Sequence, residues 1–171
     1  MLLTLAPCPH PEKLALPVVI TLEPVGVVVG GRSQAIDDDW GAVEAVIRLD
    51  GAQFGPDAVA GLTVFSHLVV VFQFHRVDPA AVHSGARRPR GNPDWPEVGM
   101  FAQRAKMRPN RLGVSTCRLL AVDGIDLHVQ GLDAIDGSPV LDVKPFMQEF
   151  EPPVADVRQP AWSTELMRGY Y

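Results

Sequence analysis

The chain has 171 residues, 47% of them hydrophobic and 20% charged, with 16 Pro and 15 Gly. That length and apolar content fit one folded domain and exclude a disordered chain, while the frequency of Pro and Gly argues against long helices. The net charge of −5 hides an asymmetry: residues 84–118 sum to +6, so a local basic patch can still meet nucleic acid although the whole is acidic.

The first 17 residues read as an irregular tail. Their apolar start is broken by Pro7 and Pro9 and lacks a basic lead-in, so no signal peptide is expected, and no apolar run is long enough to cross a membrane. Cys8 and Cys117 fit neither a zinc nor a redox spacing, which makes a reduced, cytoplasmic protein without a metal the simplest reading.

Val18 to Val29 is β-branched and apolar, interrupted at Glu23-Pro24, and predicts a strand pair or a bent strand. Gly30 to Trp40 is polar and turn-rich. Val43 to Leu49 alternates, with Val43, Ala45, Ile47 and Leu49 on one side, as a half-buried strand should. Pro56 to Ala60 and Asp78 to Val82 predict single helical turns. Between them, Thr63 to Phe74 predicts a central strand buried on both faces. Ser84 to Pro96 is a loop, and Gly99 to Ala105, Val114 to Val122, Ile125 to Val129 and Val140 to Val143 predict strands. Asp123-Gly124 marks a hairpin, because that pair supplies positive φ. Ser163 is placed to cap a short C-terminal helix. Many short strands without a βαβ rhythm predict a mainly β fold, a single antiparallel β-barrel with a few short helices. It spans residues 18–150, between the N-terminal tail 1–17 and a C-terminal tail 151–171.

Chemistry-bearing residues concentrate between Arg104 and Pro145. Arg104, Arg108 and Asn110 precede Gly113, which permits close backbone approach. They can fork a carboxylate or phosphate, or staple a turn. Asp133 and Asp136 flank a turn through Gly137, Ser138 and Pro139. They fit acid–base work, capture of a ligand's hydroxyl or amino group, or an Asx turn. Lys144 is a simple partner for Asp142. His75 ends the central strand beside Arg76, where both can enter a pocket at the barrel rim. His67, at the other end, suits a structural bond to a backbone group. His10 and His83 read as exposed loop residues, and His128 as a surface residue. There is no GxGxxG after a strand, no P-loop, no GxSxG and no HExxH, so a Rossmann cofactor site is not expected.

From Val25 to Pro145 the chain resembles the TsaA-like (TrmO) family. The resemblance is carried by Phe65-Ser66-His67-Leu68, Phe72-Gln73-Phe74-His75, Arg87-Arg88-Pro89-Arg90, Arg108-Pro109-Asn110 and Leu112-Gly113-Val114-Ser115. Its longest motif is Asp136-Gly137-Ser138-Pro139-Val140-Leu141-Asp142-Val143-Lys144-Pro145. The resemblance implies an S-adenosylmethionine-dependent methyltransferase built on an antiparallel barrel and paired as a homodimer. Its implied acceptor is N6 of threonylcarbamoyl-adenosine beside a tRNA anticodon. Implied cofactor contacts are His75, Arg76, Arg104, Asp136, Gly137, Ser138 and Pro139, extended to Asn110, Leu112 and Asp133. Either Asp136 or His75 would assist the acceptor nitrogen. Arg87, Arg88, Arg90 and Arg111 would hold RNA phosphates, with Trp95 available to stack on a base. Gln103, Ala105, Lys106 and Arg111 depart from the family pattern, which leaves a different acceptor, or a non-catalytic barrel that binds S-adenosylmethionine or an adenine ligand, as alternatives.

Overall fold

The computed structural model describes residues 19–171. The expected N-terminal tail, with Cys8 and His10, lies outside the described residues. Six strands close into an antiparallel barrel: β1 (Gly26–Val29), β2 (Glu44–Leu49), β3 (His67–Gln73), β6 (Leu112–Asp123), β7 (Asp126–Gln130) and β8 (Pro139–Pro145), in the order β1-β2-β7-β6-β3-β8. A second, minimal pairing joins β4 (Ala86–Arg87) to β5 (Val98–Gly99). Closure leaves no strand edge in the barrel open to pairing with another chain.

The period-2 alternation of the strands explains the core. Ala45, Ile47 and Leu49 of β2 point inward with Leu68, Val70 and Phe72 of β3, Cys117 and Leu119 of β6, and Leu127 and Val129 of β7. Burying a side chain such as Ile47 or Leu68 stabilises the fold by about 1.5–3 kcal/mol each. β3 is buried on one face only. Val69 and Val71, on the opposite face, are half-buried.

Several local expectations differ from the structure. Of the expected strand region Val18 to Val29, the described residues 19–29 hold strand only at Gly26–Val29. Thr63 belongs to a 3-10 turn, Leu62–Val64, that precedes β3. Of Gly99 to Ala105, only Gly99 is strand, as the end of β5: Met100–Ala102 forms a 3-10 turn that sends Met100 inward and leaves Phe101 84% exposed. At the β6–β7 hairpin, Asp123 pairs with Asp126, so the two turn residues are Gly124 and Ile125, and only Gly124 has positive φ (60°). Ser163 sits inside α1 (Ala161–Leu166), and its hydroxyl donates back to the Pro160 carbonyl instead of capping the helix. His67 is exposed, with its Nδ1 2.8 Å from the Ser66 hydroxyl and no bond from its ring to the backbone. His83 is half-buried, its Nε2 3.2 Å from the Ala86 carbonyl.

The C-terminal segment returns to the barrel. Asp39 N–H donates to the Gly169 carbonyl at 2.8 Å and Trp40 N–H to the Tyr170 carbonyl at 2.7 Å. The Trp95 indole N–H donates to Glu165 Oε2 at 3.0 Å.

Candidate functional site

Strand register decides which loops meet. β3 ends at Gln73 opposite Leu112 of β6, and its Phe72 lies opposite Val140 of β8. The end of β3, the start of β6 and the turn into β8 therefore gather at one end of the barrel. Two clusters far apart in sequence, Arg108–Leu112 and Asp133–Pro139, become neighbours of His75. Phe74 N–H donates to the Arg111 carbonyl at 2.8 Å, and His75 Nδ1 lies 3.3 Å from the Ser138 hydroxyl. A cleft of about 1630 Å³ opens over this junction. That exceeds the roughly 300–1,000 Å³ of a pocket for one small ligand.

Seven of the ten expected cofactor residues line the cleft: His75, Arg76, Arg104, Asn110, Leu112, Asp133 and Ser138. Asp136, Gly137 and Pro139 do not line it; their turn instead pins the loop behind it. Asp136 Oδ1 accepts from Gly30 N–H at 2.8 Å, Asp136 N–H donates to the Arg32 carbonyl, and Gly137 N–H donates to the Val28 carbonyl. Gly137 has φ of 80°, and a Cβ there would stand 3.7 Å from His75 Nε2. The turn thus positions the imidazole through backbone geometry that other residues adopt poorly.

The titration of His75 follows from this setting. Burial holds its pKa below the ordinary value, and the neighbouring Arg76 cation adds to that, while Asp136 opposes both. The imidazole is therefore neutral at pH 7 and able to accept a proton.

The cleft arginines have capacity to spare. Arg76 donates to the Ser33 carbonyl at 2.8 Å, Arg104 to the Val114 carbonyl at 2.6 Å, and Arg108 to the Gln103 carbonyl at 3.4 Å. Among the described residues, ion pairs engage Arg48, Arg90, Lys106 and Lys144, the last with Asp142 as expected; these three cleft arginines meet no carboxylate. Asp133 is their counterpoint. Its Oδ2 accepts from the Tyr170 hydroxyl at 2.7 Å, but its Oδ1 is buried without a partner. Burial and that carboxylate push the Tyr170 hydroxyl's pKa well above its ordinary value, so it stays a donor.

The expected RNA contacts divide. Arg87 and Arg88 line the cleft; Arg88 donates to the carbonyls of Pro93 and Trp95, and Arg87 Nε is buried without a partner. Arg90 also lines it, but forks onto Asp38 at 2.6 and 3.0 Å, so its charge is matched. Arg111 does not line the cleft: it sits at φ of 53° and donates to the Val77 carbonyl at 2.8 Å. Trp95 lies outside the lining as well.

Of the positions that depart from the family pattern, Gln103, Ala105 and Lys106 line the cleft and Arg111 does not. Gln103 is buried, and its amide donates to the Arg87 and Val98 carbonyls, bracing β4 against β5. Lys106 pairs with Asp37 at 2.8 Å. Sequence reasoning missed the aromatic tail residues Trp162, Tyr170 and Tyr171, all of which line the cleft. Their density in so short a segment was the available signal. Among the described residues, no group of three or more His, Cys, Asp or Glu converges on a possible metal, and no helix is long and apolar enough to cross a membrane.

Comparison with known proteins adds relatives to this geometry. The chain is 40% identical over 97 residues to the tRNA (adenine(37)-N6)-methyltransferase of Escherichia coli K12, covering 53% of this chain and 40% of that one. It is 34% identical over 96 residues to the human protein of the same name, covering 56% of this chain and 21% of that one. A probable S-adenosyl-L-methionine-binding protein of Pyrococcus abyssi is 29% identical over 147 residues, covering 81% and 74% of the two chains. The chain thus spans well under half the length of the E. coli and human relatives. Among solved structures, TrmO from Pseudomonas aeruginosa superposes with a TM-score of 0.64 at 27% identity, over 82% of this chain and 61% of that one. A second TrmO crystal structure gives 0.66 at 26% identity, over 83% and 61%. The family model for the tRNA-methyltransferase O N-terminal domain matches residues 38–152, which hold five of the six barrel strands and the whole junction around His75; the chain belongs to that family.

Proposed function

We propose that this chain is an S-adenosylmethionine-dependent methyltransferase acting on N6 of threonylcarbamoyl-adenosine beside a tRNA anticodon. The observation that carries the reading is the pairing of opposite needs in one cleft. Among the described residues, Arg76, Arg104 and Arg108 have no carboxylate partner there, and Asp133 Oδ1 has no donor. The methionine end of the cofactor carries a carboxylate and an ammonium, which answer both. The E. coli and human relatives named as tRNA (adenine(37)-N6)-methyltransferases, and the P. abyssi relative named as a probable S-adenosylmethionine-binding protein, support the same activity and cofactor.

When bound, S-adenosylmethionine supplies a methyl group already activated on a sulfonium. The protein's part is alignment, exclusion of water and custody of one proton. Arg104 would hold the carboxylate, with Arg76 and Arg108 beside it. The neutral His75 would accept the proton that the acceptor nitrogen sheds. Asp136 acts through His75: its charge favours the protonated imidazole, and its hydrogen bond to Gly30 fixes the turn. Arg87 and Arg88 would meet RNA phosphates at the cleft mouth. A homodimer in the cytoplasm, where tRNA is modified, completes the proposal; Phe101, 84% exposed at the cleft, offers apolar surface for a second copy to cover.

The test is calorimetric titration with S-adenosylmethionine, then labelled methyl transfer to tRNA prepared with and without the threonylcarbamoyl group. Arg104→Ala should weaken cofactor binding by about 10–100-fold, the value of a charge-assisted hydrogen bond. Absence of cofactor binding to the unaltered chain overturns the proposal. Binding without transfer to either RNA would reduce the protein to a cofactor-binding barrel.

A further inference from the structure

The family match ends at residue 152, yet residues 158–171 wall the cleft. This segment is held at several points: by Asp39 and Trp40 N–H on the carbonyls of Gly169 and Tyr170, by the Tyr170 hydroxyl on Asp133, and by the Trp95 indole on Glu165. With the segment in place the cleft still measures about 1630 Å³, so the segment bounds the space without filling it.

The aromatic rings can be sorted by what each already does. Trp40 is 3% exposed, with the Arg32 guanidinium 4.7 Å over its ring. Trp95 spends its N–H on Glu165 and lies outside the cleft lining. Trp162 is half-buried and lines the cleft, its ring centroid 6.5 Å from that of Trp95 at an interplanar angle of 43°. Tyr170 lines the cleft too, backed edge-on by Tyr171 at 5.0 Å. Trp162 and Tyr170 thus bring flat ring faces to the cleft from one segment, and stacking along such a face is what an adenine ring requires.

We propose that Trp162, with Tyr170, forms an adenine-stacking wall, so that the C-terminal segment is part of the binding site and not an appendage to the barrel. This rests on the functional reading above insofar as the ligands are adenine nucleosides. Two of them qualify, the cofactor and the acceptor nucleotide of the RNA, and both present the same ring.

The test uses the full chain with Trp162→Ala, Trp162→Leu and Trp162→Phe, each checked by thermal melting. The probes are S-adenosylmethionine, adenosine, and an anticodon stem-loop carrying threonylcarbamoyl-adenosine. Trp162→Ala and Trp162→Leu should each weaken binding of at least one probe by about tenfold, while Trp162→Phe stays within about threefold of the parent. A loss confined to S-adenosylmethionine identifies the cofactor ring as the stacked one; a loss confined to the stem-loop identifies the acceptor. If Trp162→Leu binds every probe as the parent does, the residue merely packs and the proposal is overturned, although the methyltransferase reading stands. If the parent binds no S-adenosylmethionine, that reading fails, and the adenosine and stem-loop titrations still decide for or against the wall.

Discussion

At the scale of single residues, His75 joins three observations. It follows the end of β3, its ring stands beside Gly137 and Ser138, and burial with the Arg76 charge lowers its pKa. A lowered pKa means that the proton-accepting form prevails from below the ordinary midpoint near 6.5 upward. Methyl transfer should therefore rise with pH through a midpoint below 6.5 and then level off. His75→Gln should abolish that rise and lower kcat by about a hundredfold. An unchanged profile in His75→Gln would place the proton elsewhere. Cys117 is the opposite case, a titratable group made inert. It points into the barrel core at 2% exposure, and burial first, then the Asp133 charge, pushes its pKa up to about 12. In a Cys8→Ser background the native protein should resist disulfide-exchange reagents at pH 8 and label one thiol only on unfolding. Rapid labelling of the native state would contradict the packing described for β6.

At the scale of elements, the contact between β3 and β6 sets the floor of the cleft. A Cβ on Gly113 would stand 2.4 Å from the Phe72 ring, so that ring occupies the space a side chain would need. Gly113→Ala should cost about 1–3 kcal/mol by overpacking and, because Phe72 and Leu112 both border the cleft, should also weaken cofactor binding. Thermal melts and calorimetry on that variant check both effects; a melt unchanged from the parent would mean that Phe72 can move aside freely. The barrel strands were legible in the sequence, but β4 was not: Ala86–Arg87 lies in the expected loop Ser84 to Pro96. Alternation marked β2, and the Asp-Gly pair between two apolar runs marked the β6–β7 hairpin. Met100-Phe101-Ala102 was not legible, since three apolar residues in a row suit a strand equally well. What decides for a turn is tertiary: Gln103 must fold back to reach the carbonyls of Arg87 and Val98. The site was half legible. Family motifs marked His75, Arg104 and Ser138, whereas Trp162 and Tyr170 belong to it only because the chain returns from residue 158 to pair with Asp39 and Trp40.

At the scale of the whole molecule, charge must be counted after folding. The +6 of residues 84–118 overstates the field that an RNA meets, because the acidic loop at Asp37 and Asp38 folds onto it and matches Lys106 and Arg90. Arg88, bonded only to carbonyls, keeps its charge free. Salt dependence separates these cases. Each phosphate neutralised contributes about 0.7–0.9 to the slope of log K against log salt. Arg88→Ala should lower the slope of tRNA binding by about that amount. The double substitution Arg90→Ala with Asp38→Ala removes a matched pair, so the slope should hold, and Asp38→Ala alone should steepen it by releasing the Arg90 guanidinium toward the cleft. Should the double variant lose as much slope as Arg88→Ala, Arg90 must leave Asp38 to reach a phosphate when RNA binds, and the acidic loop would be a counterion that the RNA displaces.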